Sequence, residues 1–174
     1  MKKALLIIDY QNDFISGSLG FPEAERLAIG IRDKILQYRK EGWRILFTVD
    51  THDASYLKTK EGQNLPIEHC IKGTDGHALH PLVKAVQKED DLVFEKPTFG
   101  SMELAKYLER EAFEEIEIVG LVTNICVLSN AVLAKAACPE ARIRVNKALC
   151  DSYDRTLHED TLRVLSGIHI DVIE

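Results

Sequence analysis

The 174-residue chain has no apolar run of the length a bilayer-spanning helix needs, so the sequence argues against an integral membrane helix. It has no basic cluster either. Lys and Arg number 22 against 28 Asp and Glu, and the net charge of −6 leaves no electrostatic footprint for nucleic acid or an anionic membrane surface. The four cysteines, Cys70, Cys126, Cys138 and Cys150, lack any paired spacing, which argues against a disulfide framework and makes a reducing cytoplasm the expected compartment. No repeat, low-complexity tract or linker divides the chain, so a single domain over 1–174 is expected. The opening MKKALLIID has no small-residue cleavage site after it and is interrupted by Asp9, so it reads as a first strand and not as a signal peptide. A small, neutral or polar partner is what these absences leave.

What is present is an alternation of two periodicities. ALLIID (4–9), RILFTVD (44–50), DLVFEK (91–96), IEIVG (116–120), RIRVN (142–146) and IHIDVI (168–173) are short and rich in β-branched residues, as strands are. Between them, residues 23–42 carry Leu27, Ile31, Ile35 and Tyr38 at helical steps and stop at Gly42; residues 101–111, 124–137 and 158–167 behave alike. The alternation predicts a three-layer α/β fold: six strands in a mainly parallel sheet, with helices on both faces and ligands bound beyond the carboxyl ends of the strands. Residues 51–77 are polar and aperiodic and hold three of the six histidines. They read as a long functional loop.

The strand ends carry the chemistry. Asp9 ends strand one, Asp50 ends strand two with His52 just beyond, Lys96 ends strand three, and Cys126 follows strand four at the entry to a helix. Any one of these has a bland role, as a cap, a solvated charge or a buried filler. Together they bring an acid, a cation and a thiol to one crevice. In such a trio Cys126 attacks a carbonyl carbon, Asp9 takes the thiol proton and returns it to the leaving group, and Lys96 holds Asp9 and stabilises the thiolate. Backbone N–H groups around Thr123 and Cys126 are placed to receive the oxyanion. A flavodoxin-like, noncatalytic binding module is the reading from another class. It needs a Ser/Thr/Gly-rich phosphate loop after strand one, where this chain has DYQNDF.

Three segments resemble the motifs of the isochorismatase-like cysteine hydrolases, and within them the nicotinamidases: IIDYQNDF (7–14), KPTFGSM (96–102) and GLVTNICV (120–127). The resemblance spans almost the whole chain. It implies the triad Asp9, Lys96 and Cys126, an oxyanion hole built around Val122, Thr123 and Cys126 with a cis peptide between Val122 and Thr123, hydrolysis of nicotinamide to nicotinate and ammonia through a thioester, and a homo-oligomer. Hydrolysis of another small amide, ureido or isochorismate-type substrate keeps the same triad.

Asp50 and His52, two apart on an extended segment, point to one side and can share an ion. By resemblance, His69 supplies a further ligand and Glu61 the fourth, with Glu68 and His77 competing for that place. Such a donor set suits Zn²⁺, Mn²⁺ or Fe²⁺, with zinc first. In the family's terms the ion holds a pyridine nitrogen, which points to a pyridine carboxamide. The position before the last histidine is commonly aromatic in nicotinamidases. Here it is Leu65, Pro66 and Ile67, leaving Phe14 and Phe99 as candidate stacking faces.

Overall fold

A computed structural model describes the whole chain, Met1–Glu174. In chain order the elements are β1 (Lys3–Ile8), α1 (Asn12–Ile15), α2 (Leu27–Lys40), β2 (Arg44–Asp50), α3 (Lys60–Asn64), α4 (Pro81–Lys84), β3 (Leu92–Lys96), α5 (Met102–Glu111), β4 (Glu115–Leu121), α6 (Leu128–Ala137), β5 (Arg142–Asp151), α7 (Arg155–Gly167) and β6 (Asp171–Ile173). The strands form one sheet in the order β3-β2-β1-β4-β5-β6, and every pairing is parallel. No helix is long and apolar enough to cross a membrane.

Both faces of the sheet are apolar because the side-chain period of a strand is two. Leu5 and Ile7 of β1, Phe47 of β2 and Val119 of β4 turn to one side, where Leu27, Ile31, Ile35 and Tyr38 of α2 cover them. Leu6, Ile8, Leu46, Ile118 and Val145 turn to the other, under Leu104 and Leu108 of α5, Ala131 and Ala134 of α6, and Leu162 and Leu165 of α7. The strand order reverses between β1 and β4, and a crevice opens at the carboxyl ends of those two strands. Asp9 leaves one of them and Cys126 follows the other.

The structure departs from the sequence expectations in three places. Strand five runs on to Asp151, because its register against β4 shifts between Ile118 and Gly120 and then resumes at Cys150 and Asp151. Gly120 has φ +117°, and a Cβ there would collide with the carbonyl of Ile8, so only glycine lets β4 approach β1 at this point. Strand six starts at Asp171 and not at 168. Ile168 and Ile170 donate to Leu165 in closing α7, and His169 is left-handed with φ +64°. The segment 51–77 is not structureless: it holds a 3-10 turn, Tyr56–Lys58, and the short α3, whose N-cap Thr59 accepts the Gly62 amide at 3.0 Å. Both elements are too short and polar to leave a periodic signal.

Candidate active site

Parallel pairing in the order β3-β2-β1-β4 sets Lys96, Asp50, Asp9 and the residues after Leu121 side by side. Lys96 Nζ lies 2.6 Å from Asp9 Oδ2, 3.4 Å from Asp50 Oδ1 and 3.5 Å from Cys126 Sγ, and donates to the Thr98 carbonyl at 2.9 Å. The sequence-predicted acid, cation and thiol therefore meet. Asp9 is held from β2: its amide reaches both the carbonyl and the hydroxyl oxygen of Thr48 at 3.2 Å, and Thr48 Oγ1 donates to Asp9 Oδ1 at 2.6 Å. The backbone of Asp9 is left-handed, φ +43°, a conformation Asp adopts more readily than most residues. It turns the chain sharply at the strand end, where Gln11 N closes on the Asp9 carbonyl at 2.8 Å.

Cys126 sits in a π-helical turn, Thr123–Val127, that joins β4 to α6. The Val122 carbonyl accepts from both Ile125 N, at 3.0 Å, and Val127 N, at 3.2 Å. One expectation is corrected here: the cis peptide joins Leu121 to Val122, not Val122 to Thr123. Leu121 still pairs with Asp151 as a strand residue, and the Val122 carbonyl already belongs to the turn.

The electrostatics follow from burial and proximity. Burial raises the Asp9 carboxyl above its ordinary value, Asp50 adding to the shift and the Lys96 ammonium opposing it. Burial likewise raises the Cys126 thiol well above its usual range, with Asp9 adding and Lys96 opposing. For Lys96 burial works against the charge, but Asp9, Cys126 and Asp50 outweigh it and hold the ammonium protonated. The resting arrangement is a neutral thiol facing an ion pair whose acid is a stronger base than an exposed carboxylate.

Beside this trio, Asp50, His52, Glu61 and His69 bring one ligand atom each to within 4.8 Å of one another. His52 Nε2 lies 3.0 Å from Asp50 Oδ2 and 3.6 Å from Glu61 Oε1; His69 Nε2 lies 3.3 Å and 3.6 Å from the same two atoms. His69 Nδ1 is 2.8 Å from the Ile67 carbonyl, which can only accept, so Nδ1 carries a proton and Nε2 is the ring nitrogen that faces the cluster. Glu61 Oε2 is buried without a partner. An unpartnered carboxylate oxygen, two imidazoles and a second carboxylate form a donor set that fits a divalent cation. Of the competitors for the fourth place, Glu68 is exposed, and His77 is engaged with Thr51 Oγ1 at 2.8 Å. Tyr56 stands against both imidazoles, with ring centroids 4.7 Å from His52 and 4.9 Å from His69.

The sequence matches the model of the isochorismatase domain over residues 3–174. The chain belongs to the isochorismatase family. It is similar to PncA, an isochorismatase family protein of Bacillus subtilis, at 33% identity over 172 residues and 91% of each chain. It is also similar to the nicotinamidase of Saccharomyces cerevisiae, at 27% identity over 175 residues, covering 76% of this chain and 81% of that protein. Among solved structures, the crystal structure of the nicotinamidase/pyrazinamidase PncA from Bacillus subtilis superposes with a TM-score of 0.87 at 30% identity over 100% of both chains.

In this isochorismatase family member an apolar cavity of about 360 Å³ adjoins the Cys126 turn, lined by Phe14, Leu19, Leu65, Val122, Ile125 and Tyr153. Phe14 lies on that wall, and its ring centroid is 5.7 Å from that of His69. Phe99 does not. It lies 44% exposed on the loop after Lys96, outside that lining. Leu65 forms wall where an aromatic residue was looked for.

Several supporting residues escaped the sequence reading. Gln11, fully buried, accepts the Asp50 amide at 2.7 Å and donates to the carbonyls of Asp50 and His77 at 2.9 Å and 2.8 Å, clamping the end of β2. Asp13 Oδ2 accepts the Cys70 amide at 2.7 Å, next to His69. Thr123 Oγ1 meets His158 Nδ1 of α7 at 2.9 Å. Gln11 and Asp13 lie inside DYQNDF, where two uncharged amides and two acids follow a strand end. That density of polar groups beside an apolar run was the available signal. Nothing local marks His158.

Proposed function

We propose that this isochorismatase family member is a nicotinamidase, acting from a single 1–174 domain on the carboxamide of nicotinamide. The observation that carries the reading is Asp50, which touches both halves of the site: its Oδ1 faces Lys96 of the trio and its Oδ2 faces both histidines of the ligand cluster. A nucleophile and a cation site sharing one carboxylate suit a substrate that has a carbonyl and a ring nitrogen held a fixed distance apart.

In this reading Cys126 Sγ attacks the carboxamide carbon while its proton passes to Asp9, whose raised pKa makes it a stronger base than an exposed carboxylate. Lys96 stays protonated throughout and stabilises both anions in turn. The backbone N–H groups of Val122, Thr123 and Cys126 form the oxyanion hole around the developing alkoxide. Asp9 then returns the proton to nitrogen, the C–N bond breaks, and ammonia leaves a thioester on Cys126. Asp9 next deprotonates a water that attacks the thioester carbon; the C–S bond breaks, the proton on Asp9 goes back to sulfur, and the nicotinic acid loses its remaining proton to solvent and leaves as nicotinate. Asp50, His52, Glu61 and His69 would hold one divalent ion, zinc first with manganese or iron admitted. When bound, that ion supplies a Lewis acid to position and polarise the ring nitrogen. Phe14, Val122 and Ile125 exclude water from the ring's faces. Four buried thiols suit a reducing cytoplasm, and exposed apolar side chains such as Val132 and Met102 supply surface for a homo-oligomer.

The test is ammonia release from nicotinamide by the metal-loaded protein. Turnover that is lost in Cys126→Ala supports the reading, and a fully metalated wild-type protein inert on nicotinamide overturns it.

A further inference from the structure

Asn130, on the inner side of α6 and 1% exposed, ties three points of the chain together with one side chain. Its Oδ1 accepts the Ser101 amide at 3.0 Å, and its Nδ2 donates to the Phe99 carbonyl at 3.1 Å and to the Cys126 carbonyl at 2.8 Å. Both donors and the oxygen of the amide are therefore engaged. Phe99 and Ser101 belong to the loop that leaves β3 directly after Lys96, and Ser101 begins α5 as its N-cap, accepting the Leu104 amide at 3.1 Å. Asn130 spans from that loop to the carbonyl of the cysteine one turn before it.

The loop has few other anchors. Pro97, Thr98 and Phe99 are exposed. Gly100 rests on α6 so closely that a Cβ would meet Leu133 Cδ1 at 2.7 Å. Lys96 Nζ itself leans on the loop through the Thr98 carbonyl. The position of the ammonium over Cys126 Sγ thus depends on how the loop docks against the π-helical turn. Packing alone does not call for an amide here, since Asn is a poor helix former and burying it is costly unless each polar atom is paired.

We propose that Asn130 is a positioning residue that fixes the separation of the Lys96 ammonium and the Cys126 sulfur by fastening the Lys96 loop to the Cys126 carbonyl. The role rests on the reading of Cys126 as nucleophile and Lys96 as its cationic partner. It differs from a structural role in what it moves: the reactivity of the sulfur, with little change in substrate binding.

Asn130→Asp keeps the shape and turns two donors into acceptors aimed at two carbonyls. Asn130→Ser is a milder variant that decides the question by the same readouts if the Asp protein does not fold. Leu165→Ala, a fully buried position on α7 outside the site, serves as a control for lost stability. Two quantities are measured on metal-loaded protein: kcat and KM for nicotinamide, and the rate at which iodoacetamide alkylates Cys126 at one pH, read by peptide mass. A misplacement on the ångström scale costs up to about a hundredfold in rate, so Asn130→Asp is expected to lose roughly ten- to a hundredfold in kcat with KM within about twofold. Alkylation of Cys126 is expected to slow by about tenfold, with smaller losses in the Ser variant. Leu165→Ala should lower Tm and keep both rates per folded molecule. Wild-type kcat and alkylation in the Asn130 variants would overturn the proposal, as would losses in Leu165→Ala that match theirs at equal Tm. Alkylation needs no substrate. A wild-type protein inert on nicotinamide would therefore refute the substrate reading, while the alkylation comparison would still decide the role of Asn130.

Discussion

Lys96 Nζ and Asp9 Oδ2 stand 2.6 Å apart, with the two side chains 1% and 0% exposed. Neither charge has bulk water to fall back on, so removing one leaves the other as a buried ion with a weakened set of partners. Asp9→Asn and Lys96→Met are each expected to destabilise the fold by about 3–5 kcal/mol in denaturant titrations. The double substitution should cost clearly less than the sum of the two. In kcat/KM the singles and the double should fall to a similar floor, because groups that act as a unit are non-additive. Losses that simply add would argue that the pair does not share a proton path.

The pH profile reports on Asp9. The carboxylate must be unprotonated to take the thiol proton, so kcat/KM falls as pH drops through the Asp9 pKa of the free enzyme. Burial raises that pKa, so the midpoint of the acid limb should lie above 3.8, the ordinary value. The Thr48 hydroxyl bond lowers it, so Thr48→Val should move the limb to still higher pH. A limb that stays in place or moves downward in Thr48→Val would show that another group titrates.

Metal content separates the candidate ligands. Glu61→Ala should lose most of the bound divalent ion under conditions where the wild type retains it, because Glu61 Oε2 is the buried oxygen left without a partner. Glu68→Ala should keep the ion, since Glu68 is exposed and lies outside the cluster. Chelation should weaken nicotinamide binding while Cys126 remains open to alkylation. Loss of the ion from Glu68→Ala alone would reverse the ligand assignment.

Gln11 offers a test of the support behind Asp50. Gln11→Ala strands the Asp50 amide and the carbonyls of Asp50 and His77, for an expected loss of about 1–3 kcal/mol per orphaned group that water does not reach. Since partners of metal ligands orient them, affinity for the divalent ion should fall by roughly 10- to 100-fold, measured by competition with a chelator. Unchanged affinity would confine Gln11 to the fold.

The parts of the site that the sequence made legible are those that strand topology fixes. Asp9, Asp50 and Lys96 end short strand-like apolar runs, and parallel pairing alone brings such ends to one edge, so their meeting follows from the pattern before any contact is seen. His52 and Asp50 share a side because an extended chain has a period of two. Glu61 was less legible: it reaches the cluster through α3, one short turn capped by Thr59, which no periodicity announces. The cis peptide was placed one residue late because a motif gives neighbourhoods and not carbonyl directions. Phe99, a candidate stacking face in the sequence, lies outside the apolar cavity, on a loop whose carbonyl at Phe99 is held by Asn130. His158 and Asn130 were illegible for a common reason: both act through contacts between helices and loops distant in sequence, and a single polar residue on a helix looks the same whether it faces water or a carbonyl.

The most direct measurement of the central claim is the mass of the Cys126 peptide after metal-loaded protein is mixed with nicotinamide and quenched in acid. A nicotinoyl adduct on Cys126, formed as ammonia is released and absent from Cys126→Ala along with turnover, is the predicted result. Ammonia release at the wild-type rate by Cys126→Ala would contradict it.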